Sequence, residues 1–506
     1  MSGFNPKFKF SVAFSVLKGL EDFALECIVE TLDKWYHRFY GPRLTPITIQ
    51  AAGGLFSNHV ILRFCDRDHL LMCLDCYTAG EMKCADSVYL VVSDKNLESV
   101  RKMLQKSHIN RVLKGNHDKE PRYQGTRAWS EGKPECIDAG TYPPSDQTFL
   151  LEVRSFVRES YDALKDVLTF LPSLEPSTFR GSCYNPSHTL PFSTVTTTEI
   201  AQFVGEEIYD LLNGKARDCS PLTTDDNWRV DLTRPTLNIG LRILGVQPVY
   251  SDRLLGSIRA AKLIPPEHAP RVTSQPDFPA ALCLLLAIAY PDYQQQVSIP
   301  RGRTSLRCSS AYLLTRLHPF FNPIPLRRYF RAHLEPGSVL MDPFSGTGSI
   351  PYQMIQLATQ QSIGVIVICA DIQWSNLEQI GRSTVLNEQI VQTERLQPVQ
   401  WDSSGVGGGL RGSVVDGIVS DLPYGHRELS PSALRRLYPK FLAELGRVCR
   451  PGAFAVLCTA AAPLFRRCLS HQFIWQPLHL GWEHGCTERE FFINGMRTWV
   501  FLIERL

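Results

Sequence analysis

The stretch Met341-Asp342-Pro343-Phe344-Ser345-Gly346-Thr347-Gly348-Ser349 decides the fold. The apolar run Ser338-Val339-Leu340-Met341 ends in an acid and a small glycine turn, and helical spacing resumes from Ser349. A buried strand thus delivers its carboxyl end into a tight loop, which is where open α/β sheets bind ligands. Gly346 and Gly348 permit torsions and a close ligand approach that side chains would forbid. A dinucleotide fits poorly, because Pro351 stands where a G-x-G-x-x-G pattern takes its third glycine.

A second stretch, Asp421-Leu422-Pro423-Tyr424-Gly425, follows the strand Val414-Val415-Asp416-Gly417-Ile418-Val419-Ser420 and lies at the same rim of the sheet. Its chemistry suits an exocyclic amine, a poor nucleophile whose lone pair is delocalised into a base. A carboxylate and a rigid backbone carbonyl, both accepting N–H bonds, localise that pair; Asp421 and the Leu422 carbonyl, held by Pro423, are the acceptors. Tyr424 offers a flat face for the base.

D-P-F-S-G-T-G followed by D-L-P-Y-G resembles the S-adenosylmethionine site and catalytic turn of the THUMP-domain RNA guanine-N2 methyltransferases. The resemblance implies an α/β, Rossmann-like class I methyltransferase domain, a parallel sheet with an antiparallel terminal hairpin. It implies cofactor binding by Asp342, Phe344, Gly346 and Gly348. It adds Asp371 after strand 365–370 for the ribose hydroxyls, and Asp402 after Val399-Gln400-Trp401 for the adenine amine. Arg303-Thr304-Ser305-Leu306-Arg307-Cys308 is similar to the family's entry motif, with Cys308 where a small Ser is commoner. Thr304 and Ser305 there would lie on the cofactor, while Arg307 and Tyr424 would meet the substrate.

The resemblance implies transfer to N2 of a guanosine, in the tRNA-acting branch that modifies the acceptor-stem region. A sister branch acts on a spliceosomal small nuclear RNA. Family members commonly work with a small zinc-binding activator subunit. Two rivals stand beside this reading: a catalytically silent RNA-binding scaffold, and methylation of adenine N6 or protein, since D-x-P-Y turns serve adenine as well.

The 506 residues suggest about three domains. We expect an α+β, ferredoxin-like region over 1–148, a THUMP RNA-binding region over 149–262, a linker or insertion over 263–300, and the methyltransferase domain over 301–506. A net charge of +3 does not announce nucleic acid, although 101–133 holds nine Lys or Arg against three acids. No signal peptide is expected, since Lys7 and Lys9 precede an amphipathic stretch with no long apolar core. The apolar run from Ala280 to Tyr290 is too short to span a bilayer and is expected as a buried helix. The protein is therefore expected to be intracellular, in the cytoplasm with the nucleus as the other compartment, and without a membrane partner.

Fifteen cysteines fit reduced thiols rather than a disulfide frame. Cys65, His69, Cys73, Cys76 and Cys84 include a C-x-x-C, but no second pair completes a zinc set, and no metal is assigned.

Along the chain, strands are expected at 7–16, 60–64, 88–92, 178–183, 228–232 and 237–246, and helices from Gly19, around His69 and from Thr196. Thr196 with Glu199 makes a capping box. Residues 115–147 read as a loop, and so do Gly405 to Gly412. A helix to Val448, a Pro451-Gly452 turn, a strand at 453–459 and a hairpin around Asn494-Gly495 finish the chain.

Overall fold

The structure is a computed structural model that describes residues 10–39, 48–53, 58–64, 66–96, 144–168, 178–184, 195–213, 228–233, 235, 237–246, 251–254, 281–289, 306–321, 334–386, 395–405, 409–425, 429–478, 488–493 and 495–506. It divides into two compact units. One takes residues 1–15, 21–79 and 87–292; the other takes 293–506 with the short stretches 16–20 and 80–86.

The first unit is built on a nine-stranded sheet. Its strands are β1 (Phe10–Ser15), β2 (Thr48–Gly53), β3 (His59–Phe64), β4 (Ser87–Asn96), β5 (Thr178–Tyr184), β6 (Arg229–Val230), β7 (Leu237–Val246), β8 (Ser251–Leu254) and β9 (Ala281–Ala289). Their spatial order is β6-β5-β7-β9-β4-β1-β3-β2-β8. The helices are α1 (Glu21–Phe39), α2 (Arg67–Thr78), α3 (Pro144–Glu159), α4 (Tyr161–Leu168) and α5 (Thr197–Leu212). Along β7, Leu237, Ile239, Leu241 and Ile243 bury into a core with Phe203, Val204 and Ile208 of α5, as the alternation requires. The Thr196–Glu199 capping box forms.

One expectation fails here. Residues 281–289 are a strand, not a helix, and pair antiparallel with both β4 and β7. A strand with a neighbour on each side carries a continuous apolar run, which periodicity cannot separate from a buried helix. The strand β2 and the helix α3 were also not foreseen. The basic stretch 101–133, Cys65 and most of the 115–147 loop lie outside the described residues. Cys73 and Cys76 are buried on α2 and form no disulfide, and among the described residues no three His, Cys, Asp or Glu side chains gather as a metal would need. No described helix is long and apolar enough to cross a membrane.

The second unit has the strands β10 (Val339–Asp342), β11 (Ile366–Asp371), β12 (Leu396–Gln400), β13 (Val415–Asp421), β14 (Cys449–Thr459), β15 (Trp475–Pro477), β16 (Glu488–Ile493) and β17 (Met496–Arg505). Its helices are α6 (Cys308–Leu317), α7 (Ser349–Gln360), α8 (Trp374–Leu386), α9 (Pro431–Val448) and α10 (Ala462–Ser470). The order is β12-β11-β10-β13-β14-β17-β15, with β16 also on β17. The first five are parallel, and β17 closes them antiparallel, as expected. The expected hairpin joins β16 to β17 through Gly495, at φ 78°.

The chain builds outward from β10 to β12, then returns to β13 on the other side of β10. That reversal is a topological switch point, and it opens a crevice between the ends of β10 and β13. The Pro451-Gly452 turn is instead a bulge inside β14: pairing jumps from Val415↔Cys449 to Gly417↔Phe454, so the extra residues loop out while the strand continues.

β13, which carries Asp421, is held closely from below. A Cβ on Gly417 would come within 2.8 Å of His318 Cε1 and 2.9 Å of Phe320 Cε2. Gly417→Val should therefore destabilise the protein by about 1 to 3 kcal/mol through overpacking, read as a lower denaturant midpoint. A parental midpoint would show that β13 is loosely seated.

Candidate active site

The glycine loop leaves β10 at Asp342 and enters α7. Gly348 is the residue before the helix and sits at φ 87°, where a Cβ would meet Ile380 Cγ1 at 2.9 Å. Gly346, at φ 50°, has open space where its Cβ would be. Both glycines are thus required by backbone conformation, and Gly346 leaves a cradle. Thr347 Oγ1 lies buried beside it with no hydrogen-bond partner among the described residues.

Asp371 ends β11 and holds this loop. The Gly346 N–H donates to Asp371 Oδ2 at 3.0 Å and the Gln373 N–H to Oδ1 at 2.8 Å, while the Ser345 N–H donates to the Ala370 carbonyl. Each carboxylate oxygen keeps a second lone pair for a ligand hydroxyl. Ile372 follows with 61% of its surface exposed, and Trp374 is exposed as well. These apolar groups were missed in the sequence; Asp-Ile at a strand end was the available signal. Asp402 turns the chain after β12, its Oδ1 accepting from the Ser404 N–H at 2.8 Å.

Asp342 differs from expectation. It is buried, and its Oδ1 accepts from Ser420 Oγ at 2.6 Å and from the Phe344 N–H at 3.1 Å. Burial pushes its carboxyl up to about 7; the Ser420 and Phe344 bonds pull down, and the charges of Asp421 and Asp371 add to the rise. It braces the loop against β13. Phe344 likewise packs its ring on Phe441 of α9, with centroids 5.2 Å apart, and so serves the core.

The turn after β13 is tied on three sides. The Leu422 N–H donates to the Cys458 carbonyl at 2.9 Å. The buried Tyr438 hydroxyl of α9 donates to the Pro423 carbonyl at 2.7 Å and lies 2.8 Å from Thr459 Oγ1. Among the described residues the Leu422 carbonyl is left open. The Tyr424 hydroxyl donates to Asp421 Oδ1 and approaches Cys458 Sγ at 3.7 Å. Burial first, then Cys458 and Asp421, hold the phenol well above its ordinary range, so it stays a neutral donor. The sequence suggested a ring face; the hydroxyl bond to Asp421 had no sequence signal.

Arg307, exposed, pairs with Asp86 at 3.1 Å at the start of α6. Ser309 donates to the same carboxylate, and Ser349 Oγ donates to the Leu306 carbonyl at 3.1 Å, which ties the entry turn to the glycine loop. Thr304 and Ser305 lie outside the described residues. The site therefore gathers Gly346, Thr347, Gly348, Asp371 and Asp402 with Asp421 to Tyr424 at one rim. An open cradle, an unpartnered hydroxyl, a carboxylate with spare lone pairs and an exposed aliphatic face fit a nucleoside-bearing cofactor.

Two buried groups set opposite pH responses. Burial holds the His318 imidazole down at about 4 from 6.5, so its stabilising contribution is present above 6.5 and lost as pH falls towards 4. Asp342, raised from 3.8 to about 7, contributes stability below 3.8 that is lost as pH rises through 7. The two oppose each other between about 4 and 6.5. Asp342→Asn should therefore make thermal stability fall more steeply as pH is lowered through that window. Melting curves at both ends check this; an unchanged slope contradicts the burial of Asp342.

A family model described as RMKL-like, methyltransferase domain, matches residues 329–489. The tRNA (guanine(6)-N(2))-methyltransferase THUMP3 of Mus musculus is 30% identical over 213 residues, 40% of this chain and 37% of the relative. The Bos taurus protein of the same name is 31% identical over 217 residues, with the same coverage. The matched stretch thus spans little more than a third of the length of these curated relatives. The crystal structure of TrmN from Thermus thermophilus has TM-score 0.53 at 15% identity, over 98% of this chain and 100% of that one. That of a possible methylase from Clostridium difficile 630 has TM-score 0.50 at 10% identity, over 98% of both chains. The last two speak for the fold, and the resemblance drawn from the two motifs is borne out.

Proposed function

We propose, from the premise that residues 329–489 belong to the RMKL-like methyltransferase domain family, that this chain methylates N2 of a guanosine in RNA. The observation that carries the reading is Asp421 beside an open Leu422 carbonyl at the switch-point crevice, facing a loop built to cradle a nucleoside. S-adenosylmethionine is the cofactor, and when bound it supplies an electrophilic methyl group. Asp371 would take the ribose hydroxyls on its spare lone pairs, Gly346 would leave room for close approach, and Thr347 Oγ1 would gain a partner. Ile372 offers an apolar face for adenine, and Asp402 lies along the same rim.

The remaining chemistry belongs to the catalytic turn. Asp421 and the Leu422 carbonyl accept the two N–H bonds of the guanine amine and so aim its lone pair. As nitrogen bonds to the methyl carbon, the bond from that carbon to the cofactor's sulfonium sulfur would break and its electron pair stay on sulfur as a neutral thioether. Positive charge meanwhile develops on nitrogen beside Asp421, whose hydrogen bond strengthens in the transition state. The proton leaves towards that carboxylate. Pro423 has no N–H to compete, and its own carbonyl is occupied by Tyr438. Tyr424 orients Asp421 through its hydroxyl while its ring borders the base.

The substrate is a tRNA modified in the acceptor-stem region, recruited by residues 1–262, and the protein acts in the cytoplasm with a small zinc-binding activator subunit. The tRNA assignment rests on the motif resemblance and on the names of the relatives, the activator on the resemblance alone, and the compartment, with the nucleus as its alternative, on the expected lack of a signal peptide.

Asp421→Ala should lower single-turnover methylation by about 10² to 10⁴, the range for a positioned acid/base group, with cofactor affinity nearly parental. Asn should fall between. Tyr424→Phe should lower turnover by about 10- to 100-fold, as expected for a lost hydrogen bond to a charged group, with little change in RNA affinity. Near-parental turnover of a well-folded Asp421→Ala protein would end the catalytic assignment.

A further inference from the structure

The helix α9 starts six residues beyond Gly425, the end of the catalytic turn, and supports that turn. A Cβ on Gly425 would meet Leu434 Cδ1 at 2.8 Å, and Tyr438 reaches back to Pro423. Its buried stripe, Leu434, Tyr438, Phe441, Leu442, Leu445 and Val448, faces the core. The rest of its surface exposes Arg435 on the flank of that stripe and Arg436 and Lys440 on the far side. Helical rise places these about 7 to 15 Å from the N-cap Ser430.

Their surroundings are uneven along the helix. At its far end the cations are neutralised: Arg447 pairs with Glu444 at 2.6 Å, and Arg450, just beyond the helix, pairs with Asp416 at 2.8 Å. Among the described residues Arg435, Arg436 and Lys440 have no acidic partner. The first turn carries no acid either, although carboxylates are favoured at a helix N-terminus. Uncompensated positive charge is thus concentrated on the half of α9 nearest the catalytic turn.

We infer that Arg435, Arg436 and Lys440 form a phosphate rail that holds the RNA backbone next to the nucleotide presented to Asp421. This rests on the RNA-methyltransferase reading. Charge complementarity selects the occupant: a row of free cations beside a crevice that takes a base suits the phosphates flanking that base. The contacts position the strand and carry no sequence information.

The test uses the full chain and a transcribed tRNA, with affinity measured from about 50 to 200 mM salt. Replacing the three cations together by Ala should flatten the log–log salt dependence by about 2 to 3, since each lost phosphate contact removes about 0.7 to 0.9. Melting temperature and cofactor affinity should stay parental. The charge-preserving Arg435→Lys/Arg436→Lys variant should keep most of the slope. A parental slope in the Ala variant, or an equal loss in the Lys variant, overturns the rail. Polyglutamate competing with the same salt dependence would assign the face to an acidic protein and also overturn it. If the parent methylates RNA while the Ala variant keeps its slope, only the rail fails; if the parent binds no RNA, the functional reading fails with it.

Discussion

The hydrogen bond from Ser420 Oγ to Asp342 Oδ1, 2.6 Å long and buried, joins the two halves of the site. It links the last residues of β10 and β13, the neighbours between which the sheet reverses direction. The glycine loop begins on one side of this bond and the catalytic turn on the other. A buried carboxyl is costly to ionise, and Asp342 accordingly sits near 7. A group so placed contributes geometry rather than a ligand contact. Two further clamps extend the same logic: Asp371 holds the loop through the Gly346 N–H, and Tyr438 holds the turn through the Pro423 carbonyl.

This arrangement divides the work among similar groups by environment. Asp342 is buried and bonded, so it braces. Asp371 is half-exposed with lone pairs to spare, so it can receive hydroxyls. Asp421 lies at the crevice beside a neutral phenol that fixes its orientation.

Much of this was legible in the sequence because it is encoded locally. A strand ending in Asp-Pro-Phe-Ser-Gly-Thr-Gly, a Thr196–Glu199 box and a turn at Gly495 each follow from a few adjacent residues. What was missed depends on distant partners. Ala281–Ala289 could be read as a strand only by knowing that β4 and β7 flank it. The contacts that Asp342 and Phe344 make, to Ser420 and Phe441, had no local signal because those partners are 78 and 97 residues away in sequence. The hydroxyl of Tyr424 is visible in the sequence, but its bond to Asp421 is a matter of rotamer. The bulge at Gly452 read as a turn because local composition cannot tell a break from a detour within one strand.

The most direct measurement of the central claim, that Asp421 and the Leu422 carbonyl present a guanine amine, identifies the methylated atom. The full protein is incubated with tRNA and S-adenosylmethionine bearing an isotopically labelled methyl group, and the RNA is digested to nucleosides for mass spectrometry. The account predicts label in N2-methylguanosine, lost in the Asp421→Ala protein. Label in N6-methyladenosine, or in N2-methylguanosine at an equal level with and without the Asp421 carboxylate, would contradict it.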